Sequence, residues 1–254
     1  LAVELIRKDN DGAADIFSDL LERQRRLLGP DHAELIITLY NLATVRDEQD
    51  RWDEAVPLLE EAWRIAGVRG ALETPVASDV LLLFGRVEHR GKRPVEAAEK
   101  YQRALDLRRR LYGDIHRETA TALLRLGRLW AELGDERARP VLEELRRVSR
   151  ALGLGEENSA LLGLGELDIK LGRLEEAAAT LRTGLEAVGP DAGWLTGLFE
   201  LRLAQALVGE EGERGSTAER REAGALLDSA LRHIPAEYAW AREARALRDQ
   251  LDAS

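Results

Sequence analysis

The chain repeats itself, and the interval of the repeat limits what it can fold into. "RRLLGPDH", Arg25 to His32, returns as "RRLYGDIH", Arg109 to His116. A large apolar residue followed by a small one recurs at Leu1-Ala2, Leu42-Ala43, Phe84-Gly85, Leu126-Gly127, Leu164-Gly165 and Leu203-Ala204, at intervals of 38 to 42 residues. A second signal follows within most units, a pair of small residues seven apart: Ala55/Ala62, Ala97/Ala104, Ala177/Gly184 and Ala223/Ala230. The unit around Ala138 is irregular. A unit of this size cannot bury an apolar face alone, so successive units must stack.

Between the two signals lies a turn: "EQDRWDEA", "RGKRPVEA", "ELGDERA" and "KLGRLEEA". Each unit therefore reads as helix, turn, helix. Leu123, Leu126, Gly127, Trp130 and Leu133 show the helical spacing of a single apolar stripe. The small residues mark where two helices cross closely, because a larger side chain there would overpack the contact.

"LGPDH", "LYNLA", "DRWDEAVPLLEEAWRI" and "VEAAEKYQRALDLRRRLYGDIH" resemble tetratricopeptide repeats of the longer-period kind found in kinesin light chains and many bacterial proteins. The resemblance is strongest over the first three units and weaker after Gly134. It implies an all-α fold: a right-handed superhelical solenoid of antiparallel helix pairs, with about five and a half repeats and a C-terminal capping helix. The expected layout is a single solenoid over 1–254. Residues 1–28 form an incomplete first repeat (helices 1–8 and 12–28). Repeats follow at 32–67, 74–112, 116–152, 157–187 and 192–233, and the cap is 236–251. Residues 209–222 read as an extended glycine-rich turn. Leu1 falls where other units are already mid-helix, so the chain reads as a fragment of a longer one.

Composition narrows the chemistry. With no cysteine there is no disulfide, thiolate nucleophile or cysteine-based zinc site. A reducing cytoplasm is compatible with this, and the chain is placed there. The net charge of −10 argues against a nucleic-acid binder. No apolar run approaches the ~20 residues of a membrane span. No phosphate loop, zinc-protease helix or serine-hydrolase elbow is present. The stretch Asp9–Gly12 faintly resembles a calcium loop but fails at both ends, Arg7 and Ser18, and reads as an inter-helix turn. His32 and His116 fall at equivalent helix starts in different units, and His233 at a helix end. Trp52, Trp63 and Trp130 read as packing residues, while Trp194 is left open. No enzyme activity, metal or cofactor is expected.

What remains is surface. The resemblance implies that the first helix of each pair lines a concave groove. On those helices a second stripe, rotated from the apolar one, carries Tyr40, Asn41 and Thr44, then Arg86, His89 and Arg90, then Arg125 and Arg128, then Glu166, then Arg202 and Gln205. Asn41 sits where the resemblance implies an amide that bonds the backbone of an extended peptide, since an amide both donates and accepts. The arginines offer planar forks for carboxylates. The expected function is a protein-interaction scaffold that takes an extended, acidic peptide or partner segment. The alternative reading of Arg86, Arg90, Arg125 and Arg128 is a solvated arginine-rich face. The alternative function is a regulatory or sensor region of a larger bacterial signalling enzyme, fused to a kinase, protease or ATPase.

Overall fold

The computed structural model describes residues 10–209, 212 and 214–253. Among these residues every regular element is an α-helix. They are α1 (Asn10–Leu28), α2 (Glu34–Glu48), α3 (Trp52–Val68), α4 (Pro75–Arg90), α5 (Pro94–Tyr112), α6 (Arg117–Glu132), α7 (Ala138–Leu152), α8 (Glu156–Lys170), α9 (Leu174–Val188), α10 (Trp194–Val208), α11 (Thr217–His233) and α12 (Ala239–Ala253). No helix among the described residues is long and apolar enough to cross a membrane. The chain divides into two compact units, Leu1–Arg125 and Leu126–Ser254.

In the first unit α2 pairs with α3 and α4 with α5; α1 packs on α2, and α3 on α4. In the second, α8 pairs with α9 and α10 with α11; α7 packs on α8, α9 on α10, and α12 on α11 and α10. Helices joined by so short a turn and packed along their length run antiparallel.

The small residues sit where the steric argument requires them. Ala55, Ala62, Ala97, Ala104, Ala177, Ala223 and Ala230 are all 0% exposed. At Gly85 a Cβ would stand 2.5 Å from the Tyr101 ring, and at Gly165 2.5 Å from Leu181. Both partners are core residues, 2% and 0% exposed, with little room to withdraw.

Four helices, α2, α4, α6 and α8, end in the same way. The residue after a left-handed position donates its N–H back to a carbonyl one turn earlier: Arg51 to Arg46, Arg93 to Glu88, Asp135 to Trp130 and Arg173 to Asp168, each at 2.8 Å. The left-handed residues are Asp50, Lys92, Gly134 and Gly172. In "RGKR" that role falls to Lys92 (φ 61°) and not to its glycine neighbour Gly91 (φ −73°).

The motif that opens the repeat is the turn between pairs. Gly113 (φ 86°, ψ 174°) and Gly189 (φ 76°, ψ 175°) adopt a conformation open in practice only to glycine. Thr119 and Thr196 each donate a hydroxyl back to these glycines' carbonyls, at 2.7 and 2.8 Å. The histidines do the same work in both copies. Nδ1 of His32 accepts the N–H of Glu34 at 3.4 Å, and that of His116 accepts the N–H of Glu118 at 3.1 Å.

Two expectations shift, and a third is not tested. Helix 1–8 lies outside the described residues. The stretch Asp9–Gly12 is not a turn, since α1 is already helical from Asn10; Asp9 itself lies outside the described residues. The turn expected over 209–222 ends early, because Ser216 caps α11. Its side chain accepts the N–H of Glu219 at 3.4 Å, while Glu219 accepts the Ser216 N–H at 2.7 Å. Ser216's backbone and hydroxyl hold the Glu219 carboxyl below its ordinary range. A depressed carboxylate pKa contributes stability above the unfolded-state value and loses it as pH falls through the folded one. Ser216→Ala is therefore expected to lower Tm by about 2–4 °C at neutral pH, and by less below pH 4, as read by circular dichroism melting.

Candidate functional site

In the first unit the predicted stripe falls on α2 and α4. Asn41 is half-buried, and its amide has no hydrogen-bond partner among the described residues. Thr44 spends its hydroxyl on the Tyr40 carbonyl at 2.9 Å. Burial, reinforced by Asp79, pushes the Tyr40 phenol above its ordinary pKa, so it stays a neutral donor. Asp79 in turn accepts from Arg108 at 2.7 Å. Arg108, a buried guanidinium, also reaches the Glu118 carbonyl at 2.7 Å.

The arginines of α4 are not open cations. Arg86 Nη2 lies 2.8 Å from Asp47, a carboxylate 0% exposed at the end of α2, and 3.8 Å from Glu48. Arg90 meets Asp47 at 3.3 Å, pairs with Asp50, and lies 5.7 Å over the Trp52 ring. The patch expected at Arg86 and Arg90 is thus neutralised from within, by acids roughly forty positions earlier in the chain. His89 is half-buried on the same helix.

Burial pushes the Asp47 carboxyl above its ordinary 3.8, against the pull of Arg86 and Arg90. The folded state then takes up a proton that the unfolded chain has not yet bound, and Asp47's contribution to stability grows as pH falls. Measured against Asp47→Asn in urea, the parent is expected to gain relative stability between pH 7 and pH 4. A shrinking difference would contradict this.

The second unit holds a cleft of about 330 Å³. It is lined by α6, α8, α10 and the terminal helix α12: Arg128 and Glu132 of α6, Glu166, Ile169 and Lys170 of α8, Arg202 and Gln205 of α10, and Trp240 and Glu243 of α12. Arg202 is its hub. Nε donates to Glu166 at 2.9 Å, and Nη1 to Glu243 at 2.6 Å and to Gln205 Oε1 at 2.9 Å. Gln205 Nε2 closes the ring on Glu243 at 2.7 Å. Burial works against the Arg202 charge, but Glu166 and Glu243 outweigh it and hold the guanidinium above its ordinary pKa.

Four predicted residues, Arg128, Glu166, Arg202 and Gln205, thus share one cleft. Arg128 is exposed and has no ion-pair partner among the described residues. Arg125 is exposed on the same helix but belongs to the first unit, with the α2 and α4 residues. Sequence reasoning missed Asp47 and Glu243, and put Trp240 on the apolar face of a cap. The last two lie on α12, which reads as a cap yet contributes to the cleft as a further first helix does.

The tryptophans divide. Trp130 is core, 8% exposed, with Arg137 4.8 Å over its face. Trp52 and Trp63 are half-buried, each under an arginine, Arg90 for one and Arg103 for the other. Trp194 is 51% exposed and stacks on Trp240 at 6.0 Å.

The sequence profile of the Tetratricopeptide repeat matches residues 2–66 and 77–151. The chain belongs to the tetratricopeptide repeat family. Its fold is similar to those of several solved structures. RapI, in its apo form, superposes with a TM-score of 0.71 at 12% identity, covering 99% of this chain and 96% of that one. Repeats of a kinesin light chain-type protein of Podosopora anserina give 0.64 at 17%, covering 78% and 94%. YrrB, a tetratricopeptide repeat protein with an unusual peptide-binding site, gives 0.50 at 19%, covering 91% and 98%. At these identities the likeness is one of fold. No protein of curated function matches the sequence.

Proposed function

We propose that this tetratricopeptide repeat protein is an interaction scaffold whose first-helix face holds an extended, acidic segment of a protein partner. The observation that carries the reading is the second-unit cleft, lined by α6, α8, α10 and α12, with an exposed Arg128 in its lining that has no ion-pair partner among the described residues. Arg202 and Gln205 spend their hydrogen bonds on Glu166 and Glu243, so they shape the floor. Arg128 is left to meet a carboxylate from outside. In the first unit the amide of Asn41 supplies a donor and an acceptor for a peptide backbone. The peptide-binding site of YrrB is consistent with this use of the fold.

The test is fluorescence anisotropy with labelled extended peptides, one carrying glutamates and one carrying glutamines at the same positions. The acidic peptide is expected to bind more tightly, to weaken as salt rises, and to lose about tenfold in affinity with Arg128→Glu. Equal binding of the two peptides, or salt-independent binding indifferent to Arg128, would refute the acidic ligand. Failure of every extended peptide to bind would refute the groove.

A further inference from the structure

A second cleft, of about 510 Å³, opens in the second unit between α9, α10 and α11. It shares no residue with the cleft around Arg202. Its walls include the apolar Leu185, Leu203, Leu226 and Pro190. Among them stands Glu200. It is the one acid on α10, "WLTGLFELRLAQALV", and it is 7% exposed.

A carboxylate in an apolar wall is costly unless its oxygens are satisfied. Glu200 is satisfied on one side only: Oε2 meets His233 Nδ1 at 3.1 Å. Oε1 has no hydrogen-bond partner among the described residues, and Glu200 is part of the cleft lining. The other polar groups around it are already engaged or add to the negative charge. The Thr196 hydroxyl is spent on the Gly189 carbonyl at 2.8 Å. The one guanidinium of the lining, Arg182, is paired with Glu222 at 3.0 Å, and Glu186 contributes a further carboxylate.

An apolar floor, a free carboxylate oxygen and a surplus of acid call for a ligand with an apolar body and one cationic head. The volume falls in the range of small-molecule sites. We propose that this cleft binds a small organic amine, its ammonium donating to Glu200 Oε1 and its apolar body lying on Leu185, Leu203 and Leu226. The occupant is a free amine and not a protein segment, so the site is separate from the peptide reading and survives that reading's failure.

Isothermal titration of the whole chain with 4-phenylbutylamine, 4-phenylbutan-1-ol and 4-phenylbutanoate tests it, because the three share a body and differ in the head. The amine is expected to bind at least about tenfold more tightly than the alcohol, with the carboxylate weakest. Glu200→Gln keeps an acceptor for His233 while removing the charge, and is expected to bring the amine down to the level of the alcohol. Leu226→Arg, at a half-buried wall position, places a cation in the cleft and is expected to abolish amine binding while far-UV circular dichroism stays unchanged; it carries the test should Glu200→Gln not fold. Equal binding of amine and alcohol, no binding of the amine, or amine binding indifferent to both substitutions would overturn the proposal.

Discussion

Gly184→Leu is expected to destabilise the second unit by about 3 kcal/mol, at the top of the range for an overpacked core. Gly184 lies on α9 facing Phe199 of α10, and a Cβ built there overlaps the edge of the Phe199 ring at Cε1 and Cζ. That ring is 0% exposed and cannot swing out without dragging α10 with it. Alanine at the same site improves helix propensity by about 1 kcal/mol, so a net loss on Gly184→Ala would show the clash exceeding that gain. The pairing is tested most directly by a double-mutant cycle with Phe199→Leu, whose smaller side chain gives the new methyl room. A coupling of about 1 kcal/mol or more is expected from urea unfolding. Gly184→Ala as stable as the parent, with an additive cycle, would show that the two helices cross less closely than this.

Arg202→Ala should have the other large effect, for an electrostatic reason. It removes the cation that joins α8, α10 and α12, and leaves Glu166, Glu243 and the Gln205 amide facing one another. Breaking a buried ion pair from one side leaves charge uncompensated. Here the partners' side chains are 24% and 40% exposed, so water screens part of the loss. About 2–3 kcal/mol is expected. Lysine should restore little, because an ammonium lacks the fork that reaches two carboxylates at once. Adding Glu166→Gln and Glu243→Gln to Arg202→Ala should recover much of the stability by removing the repulsion. If the triple variant is no more stable than Arg202→Ala, the arginine acts through packing of its stem and not through its charge.

The two predictions rest on signals of very different legibility. Gly184 is visible in the sequence, because close approach of two helices forbids a side chain and leaves a small residue at a fixed interval. The same requirement places most helices to within a few residues, and α5 spans the expected 94–112. Helical spacing picks the face of each helix that carries Arg128, Glu166, Arg202 and Gln205, and the family resemblance implies that these helices stand side by side. Partners are not legible in this way. Whether Arg86 or Arg202 is an open cation depends on carboxylates about forty positions away, and a local pattern shows neither Asp47 beneath Arg86 nor Glu243 beside Arg202. Asp47, near the end of α2, is fully buried. The terminal helix is harder still: one apolar face and one charged face describe a cap and a groove-lining helix equally well. "STAE" ahead of α11 does carry a capping-box signal, although the stretch reads as open turn.

The four matching turns at Asp50, Lys92, Gly134 and Gly172 have a practical consequence. Their closing hydrogen bonds run entirely through the main chain, so the side chains there owe nothing to the closure beyond tolerating one left-handed residue. Of the four, the corner at Lys92 is the natural site for attaching a label, since its side chain is exposed and has no partner among the described residues, whereas Asp50 is engaged by Arg90 and a side chain at Gly134 or Gly172 would be strained.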